Sequence, residues 1–121
     1  MDEKRYKAMI HEEICTYEVA KLAKEKGFDV PTAKNYRHEN GTTCNAPTQS
    51  LLQRWLREER GIIVEVFMDD DSNMPLTYNI HQYKDWNWEC VCHHHGNYYA
   101  VTDWELCLED ALKYALENLV I

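Results

Sequence analysis

The sequence predicts an α+β domain: two N-terminal helices, an antiparallel sheet of three or four strands, and a C-terminal amphipathic helix packed on one face of the sheet. Three observations carry that prediction. Apolar residues recur at three-four spacing from Trp104 to Leu119, and in narrower stripes in two earlier stretches. Between Ile62 and Cys92 the pattern changes to alternation, the period of a strand with one buried face. Short turn-rich segments separate the alternating runs, so neighbouring strands run antiparallel, and the helices have a sheet face to cover. A chain of 121 residues, 45% apolar and 28% charged, has the size and composition of one globular domain spanning residues 1–121. Residues 1–13 are charged and aperiodic, and are expected to form a poorly ordered N-terminal segment.

The first helix is written in ICTYEVAKLAKEKGF. Thr16 suits the N-cap, because its hydroxyl can accept a backbone N–H left unpaired by the first turn. Val19, Leu22 and Ala23 form the apolar stripe, and Lys21 and Glu25, four apart, are placed to pair on the wet face. Gly27 falls where a left-handed residue ends a helix, with Phe28 folding back on the last turn. The 17 residues from Asp29 to Asn45 have no period. Asn40-Gly41 within them can close a small hairpin between Tyr36 and Thr43, and otherwise the segment is a binding loop.

The second helix, APTQSLLQRWLREERG, has Pro47 and Thr48 at its start and Gly61 at its end. Leu51, Leu52, Trp55 and Leu56 make its core face; Arg54, Arg57, Glu58 and Arg60 face water. IIVEVF then alternates, with Ile62, Val64 and Val66 inward. LTYNIHQY follows the MDDDSNMP turn, with Tyr78 and Ile80 inward. WNWECVC sets Trp86, Trp88, Cys90 and Cys92 on one face, HHHGN forms a turn, and YYAV extends the sheet. Thr102 and Glu105 have capping-box spacing ahead of the final helix. That helix lays Trp104, Cys107, Leu108, Ala111, Leu112, Ala115, Leu116 and Leu119 on its apolar face.

Charge and cysteine content narrow the function. The formal net charge is −8, from 21 acids against 13 bases. Duplex nucleic acid is bound largely through neutralised phosphates, so a direct duplex role is disfavoured, while a small anion in a local basic pocket or a basic protein partner fits. There are 8 Tyr and 4 Trp against 2 Phe, a bias toward rings with a polar tip that suits half-buried and binding surfaces. The charged N-terminus lacks the apolar core of a signal peptide, and no run is long enough to span a membrane. The expected setting is therefore the cytoplasm, with the five cysteines reduced and no membrane contact.

The conspicuous stretch is ECVCHHHGNYY. A metal set of Cys90, Cys92 and His94, with His81 from the neighbouring strand, is conceivable. Structural zinc sites, however, usually use two separated ligand pairs, and here the second pair is missing. The competing reading makes Cys90 and Cys92 small core residues. Asp69, Asp70 and Asp71 have the spacing of a solvated turn rather than of a calcium loop. The chain has no nucleophile elbow and no phosphate loop, and with only 4 Gly it has little material for one. No cofactor and no enzymatic activity are expected. The candidate ligand site is quieter: Lys34, Tyr36 and Arg37, beside His38, precede Thr48, Gln49 and Ser50 at a helix start, where free N–H groups and the helix dipole attract an anion. In that arrangement the bases neutralise charge and Tyr36 stacks on a nucleotide base. Plain capping of the helix is the alternative use of Thr48. Trp86 and Trp88, alternating on a strand that a small domain does not fully cover, suggest a homo-oligomer.

The stretches ICTYEVAKLAKEKGFDVP, APTQSLLQRWLREERGIIVEV and WELCLEDALKYALENL resemble a group of small proteins of gut Bacteroidota and their phages, over about residues 14–119. The matching positions are Cys15, Thr16, Ala46, Pro47, Thr48, Gln49, Trp55, Leu56 and Arg57; the Cys90–Cys92 stretch is outside the pattern. The resemblance brings no activity with it. It implies a phage or mobile-element accessory protein that acts by binding, either sequestering a small nucleotide-derived defence signal or inhibiting a basic host protein through an acidic surface.

Overall fold

A computed structural model of the chain describes residues 12–69, 73–93 and 98–121, with His93 described by its backbone alone. The order is α1 (Tyr17–Glu25), β1 (Asn35–Arg37), β2 (Thr43–Asn45), α2 (Gln49–Arg60), β3 (Ile62–Met68), β4 (Leu76–Lys84), β5 (Asn87–His93), a 3₁₀ turn (Val101–Asp103) and α3 (Trp104–Asn118). The architecture is α+β. β3, β4 and β5 form an antiparallel sheet in that order, and β1 with β2 forms a separate two-stranded hairpin.

Both early helices start and stop as their sequences dictate. The Thr16 hydroxyl accepts the Val19 N–H at 3.3 Å, and that of Thr48 accepts the Leu51 N–H at 3.1 Å. Gly27 (φ +104°) and Gly61 (φ +64°) supply left-handed residues after the last turns, and Phe28 returns its N–H to Ala23 O at 2.9 Å. The Asn40-Gly41 hairpin forms, with Tyr36 opposite Cys44, which resolves the aperiodic segment into β1 and β2. Lys21 and Glu25 do not pair: among the described residues neither has an ion-pair partner.

α3 packs across β3 and β4, while α2 packs on β3 and against α3. One buried cluster joins Val19 and Ala23 of α1, Leu52, Trp55 and Leu56 of α2, Ile62, Val64, Tyr78, Ile80 and Cys92 of the sheet, and Cys107, Ala111, Leu112, Ala115 and Leu116 of α3.

Three expectations are corrected. The capping box does not form. A turn closed by Asp103 N–H on Ala100 O moves the helix start to Trp104, so Thr102 is not the N-cap and Asp103, which is, makes no side-chain capping bond. Trp86 is not in a strand. Asp85 and Trp86 are the two turn residues between β4 and β5, with Lys84 opposite Asn87. The stretch YYAV does not add a fourth strand; Tyr99 makes a single antiparallel bridge to Leu76. The Asp70–Asp71 part of the acidic turn, residues 94–97 of the histidine turn and residues 1–11 of the N-terminal segment lie outside the described residues. Glu12 and Glu13, expected in the poorly ordered segment, are placed against the start of α2.

Candidate functional site

The six residues expected to converge on an anion do not do so. At the start of α2, the Gln49 N–H donates to Glu13 O (2.8 Å) and Ser50 Oγ donates to Glu12 Oε1 (2.5 Å), while Ile14 bridges to Thr48. Cys15 N–H donates to Pro47 O at 2.9 Å. The Gln49 side chain is buried and donates to Glu105 O (2.8 Å) and Glu109 Oε1 (2.9 Å). Glu109, itself buried on α3, also receives the N–H and the hydroxyl of Thr16, each at 2.8 Å on Oε2. The Gln49 N–H, the Leu51 N–H and the Ser50 hydroxyl are thus taken by the chain's own groups, and the nearby carboxylates are negative. Thr48 caps, Gln49 braces, and Ser50 holds Glu12.

Tyr36 is a strut rather than a stacking ring. Its hydroxyl donates to Cys15 O at 2.6 Å and its ring meets Tyr17 edge-on, with centroids 5.6 Å apart. Burial, with nearby Cys15 and Glu109, raises its phenol above the ordinary value. Lys34 extends into solvent and contributes its carbonyl, which accepts from Ala46 N–H at 3.0 Å.

Of the six, Arg37 lines a cleft among the described residues. The cleft, about 890 Å³, lies between the outer face of α1 and the β1–β2 hairpin. α1 contributes Tyr17, Lys21, Lys24 and Glu25; the hairpin contributes Arg37, His38 and Glu39, with Asn40 and Thr42 from its turn. Tyr17, Lys21 and Lys24 share one helix face because they stand at i, i+4 and i+7. Two side-chain bonds join the walls: Tyr17 Oη to His38 Nδ1 at 2.6 Å, and Lys24 Nζ donating to Thr43 O at 2.9 Å. Asn40 Oδ1 accepts both the N–H (3.0 Å) and the hydroxyl (2.7 Å) of Thr42, which fixes the turn. Three basic side chains face two carboxylates here, reversing the −8 balance of the whole chain. Among the described residues Lys21 and Arg37 have no ion-pair partner, although Glu25 and Glu39 line the same cleft.

Sequence reasoning missed Tyr17, Lys21 and Lys24. Their helical spacing is readable, but only the folded hairpin sets it opposite Arg37.

The metal set is not assembled. In regular pairing Cys90 and Cys92 share a face, but a bulge intervenes: Cys92 pairs with Ile80 and Cys90 with His81, so Val91 is the extra residue. Cys92 is buried and Cys90 exposed, and His94 lies outside the described residues. His81 instead has Glu65 Oε1 3.7 Å from its Nδ1. Among the described residues no group of three or more His, Cys, Asp or Glu side chains is arranged to hold a metal ion.

No family model, curated protein or solved structure matches this chain. Among the described residues no helix is long and apolar enough to cross a membrane.

Proposed function

We propose that this protein captures a small, multiply charged anion in the cleft between α1 and the β1–β2 hairpin and holds it without chemical change. The observation that carries this reading is the pair Lys21 and Arg37, two cations that form no ion pair among the described residues, in a cleft whose basic side chains outnumber its carboxylates. The described lining sets Lys21, Lys24 and Arg37, with the donors of Tyr17, Asn40 and Thr42, against the two carboxylates Glu25 and Glu39, a net positive set suited to holding an anion. The resemblance to small phage and Bacteroidota proteins fits capture of a defence signal, since accessory proteins of that kind act by binding.

Titration calorimetry with inorganic phosphate and pyrophosphate tests the reading. A charge-assisted hydrogen bond contributes about 1.5–3 kcal/mol. Arg37→Ala is therefore expected to weaken binding about ten- to a hundredfold, without loss of fold, because the side chain is exposed. A ligand recovered altered from the protein, or affinity indifferent to Arg37→Ala and Lys21→Ala, counts against it.

A second reading is favoured by a different observation. Trp86 is 89% exposed at the tip of the β4–β5 hairpin, beside exposed Trp88 and Tyr83, whose rings lie 5.2 Å apart. Such an apolar surface suits a second copy of this chain or another protein.

A further inference from the structure

We infer that the anion held in this cleft is a nucleotide, its base lying against Tyr17 and its phosphate between Lys21 and Arg37. The inference rests on the reading of the cleft as an anion site and adds the class of ligand. Size is the first ground. The cleft is open to solvent rather than enclosed, and at about 890 Å³ it has room beside a bare phosphate for an organic group laid against its wall. The second ground is Tyr17. The residue remains 39% exposed on the cleft wall, yet its ring is held on two sides: edge-on against Tyr36, with centroids 5.6 Å apart, and against His38 at 5.5 Å. The Tyr17 Oη to His38 Nδ1 bond at 2.6 Å fixes its remaining rotation. An aromatic ring oriented before the ligand arrives is a stacking platform that loses little freedom on binding. The third ground is spacing. Lys21 stands one helical turn beyond Tyr17, so ring and ammonium are neighbours on the same face, and Arg37 precedes His38 on the opposite wall. Ring and charge are thus side by side, as they are in a nucleotide.

The experiment compares the affinities of the full chain for inorganic phosphate, ribose 5-phosphate and the four ribonucleoside 5′-monophosphates, by calorimetry at one salt concentration. At least one monophosphate is expected to bind roughly ten- to a hundredfold more tightly than ribose 5-phosphate, the range for one stacked base. Tyr17→Phe, which keeps the ring but loses the bond to His38, should lower that ratio only in part, and Tyr17→Leu should reduce it toward one. Equal affinities of wild-type protein for ribose 5-phosphate and every monophosphate overturn the inference while leaving the anion site standing. A ratio that survives Tyr17→Leu overturns the placement of the base. Absence of binding by all six probes overturns both the inference and the reading beneath it.

Discussion

Glu109 accepts three hydrogen bonds in one buried corner. Thr16 gives it a backbone N–H and a hydroxyl on Oε2, and Gln49 gives an amide N–H on Oε1 while also reaching Glu105 O. The same Thr16 hydroxyl accepts from Val19, so it caps α1 and ties the cap to α3 in one geometry. A carboxylate accepts on both oxygens; an amide has an acceptor on one side and a donor on the other. Glu109→Gln therefore sets an N–H against an existing donor whichever way the amide turns. We expect it to lower stability by about 1–3 kcal/mol, read as a reduced urea midpoint at unchanged m. A midpoint equal to wild type contradicts this account. Little of the corner was legible in the sequence. Thr16 and Thr48 announce themselves as caps through their local context, whereas the partner of Gln49 lies 60 residues away in a helix whose period reports only which face is apolar.

At the scale of elements, local signals set most boundaries, and the departures have local physical causes. The Asn40-Gly41 turn, Gly61 and the inward set Ile62, Val64, Tyr78 and Ile80 were readable because turn chemistry and alternation act over a few residues. Alternation failed in β5, where the extra residue Val91 turns Cys90 outward and Cys92 inward, and no residue there marks a bulge in advance. Of the basic residues of the cleft only Arg37 was legible as a site residue, because its juxtaposition with Lys21 and Lys24 depends on how α1 and the hairpin pack. The β4–β5 turn departs from the usual chemistry most plainly. Asp85 (φ +51°) and Trp86 (φ +70°) both occupy the left-handed region, where two-residue hairpins favour Asn-Gly. For a residue with a Cβ that conformation costs about 1–2 kcal/mol, partly offset on glycine replacement by the greater freedom of the unfolded chain. Because Trp86 is 89% exposed, its removal forfeits little packing. Trp86→Gly should raise Tm by about 2–5 °C in calorimetry. A fall in Tm would show that the indole contributes packing that outweighs the strain.

For the whole molecule, burial of thiols and phenols ties stability to alkaline pH. Burial, with Asp110 nearby, raises the Cys107 thiol from 9.0 to about 12, and burial, with Cys92 next, raises the Tyr78 phenol from 10.0 to about 12. Cys15 and Tyr99 are raised in the same direction, again chiefly by burial. The unfolded chain thus releases these protons before the folded one does. Their contribution is complete below pH 9 and is lost as pH rises from about 9 to 12. Urea midpoints are expected to be level across neutral pH and to fall above pH 9, with Cys107→Ala making the fall shallower; a flat profile to pH 11 refutes it. The exposed aromatic tip bears on assembly. Light scattering at tens of micromolar, a range suited to micromolar association, should show a dimer that Trp86→Ser with Trp88→Ser converts to monomer. A wild-type monomer at that concentration removes the tip as a self-association surface.

The bond between Thr16 and Glu109 spans 93 residues of sequence. During synthesis, at about 5–20 residues per second, the N-cap of α1 therefore waits roughly 5–20 s before its buried partner has been made. Through that interval Val19 and Ala23 have no α3 to pack against, and the nascent chain leaves these apolar side chains uncovered. A ribosome stall between β5 and α3 would prolong that display. Such intermediates are ones that a general hydrophobic-binding chaperone retains, so slow codons in this interval should lower the yield of folded protein, whereas the same codons after Asn118 should not.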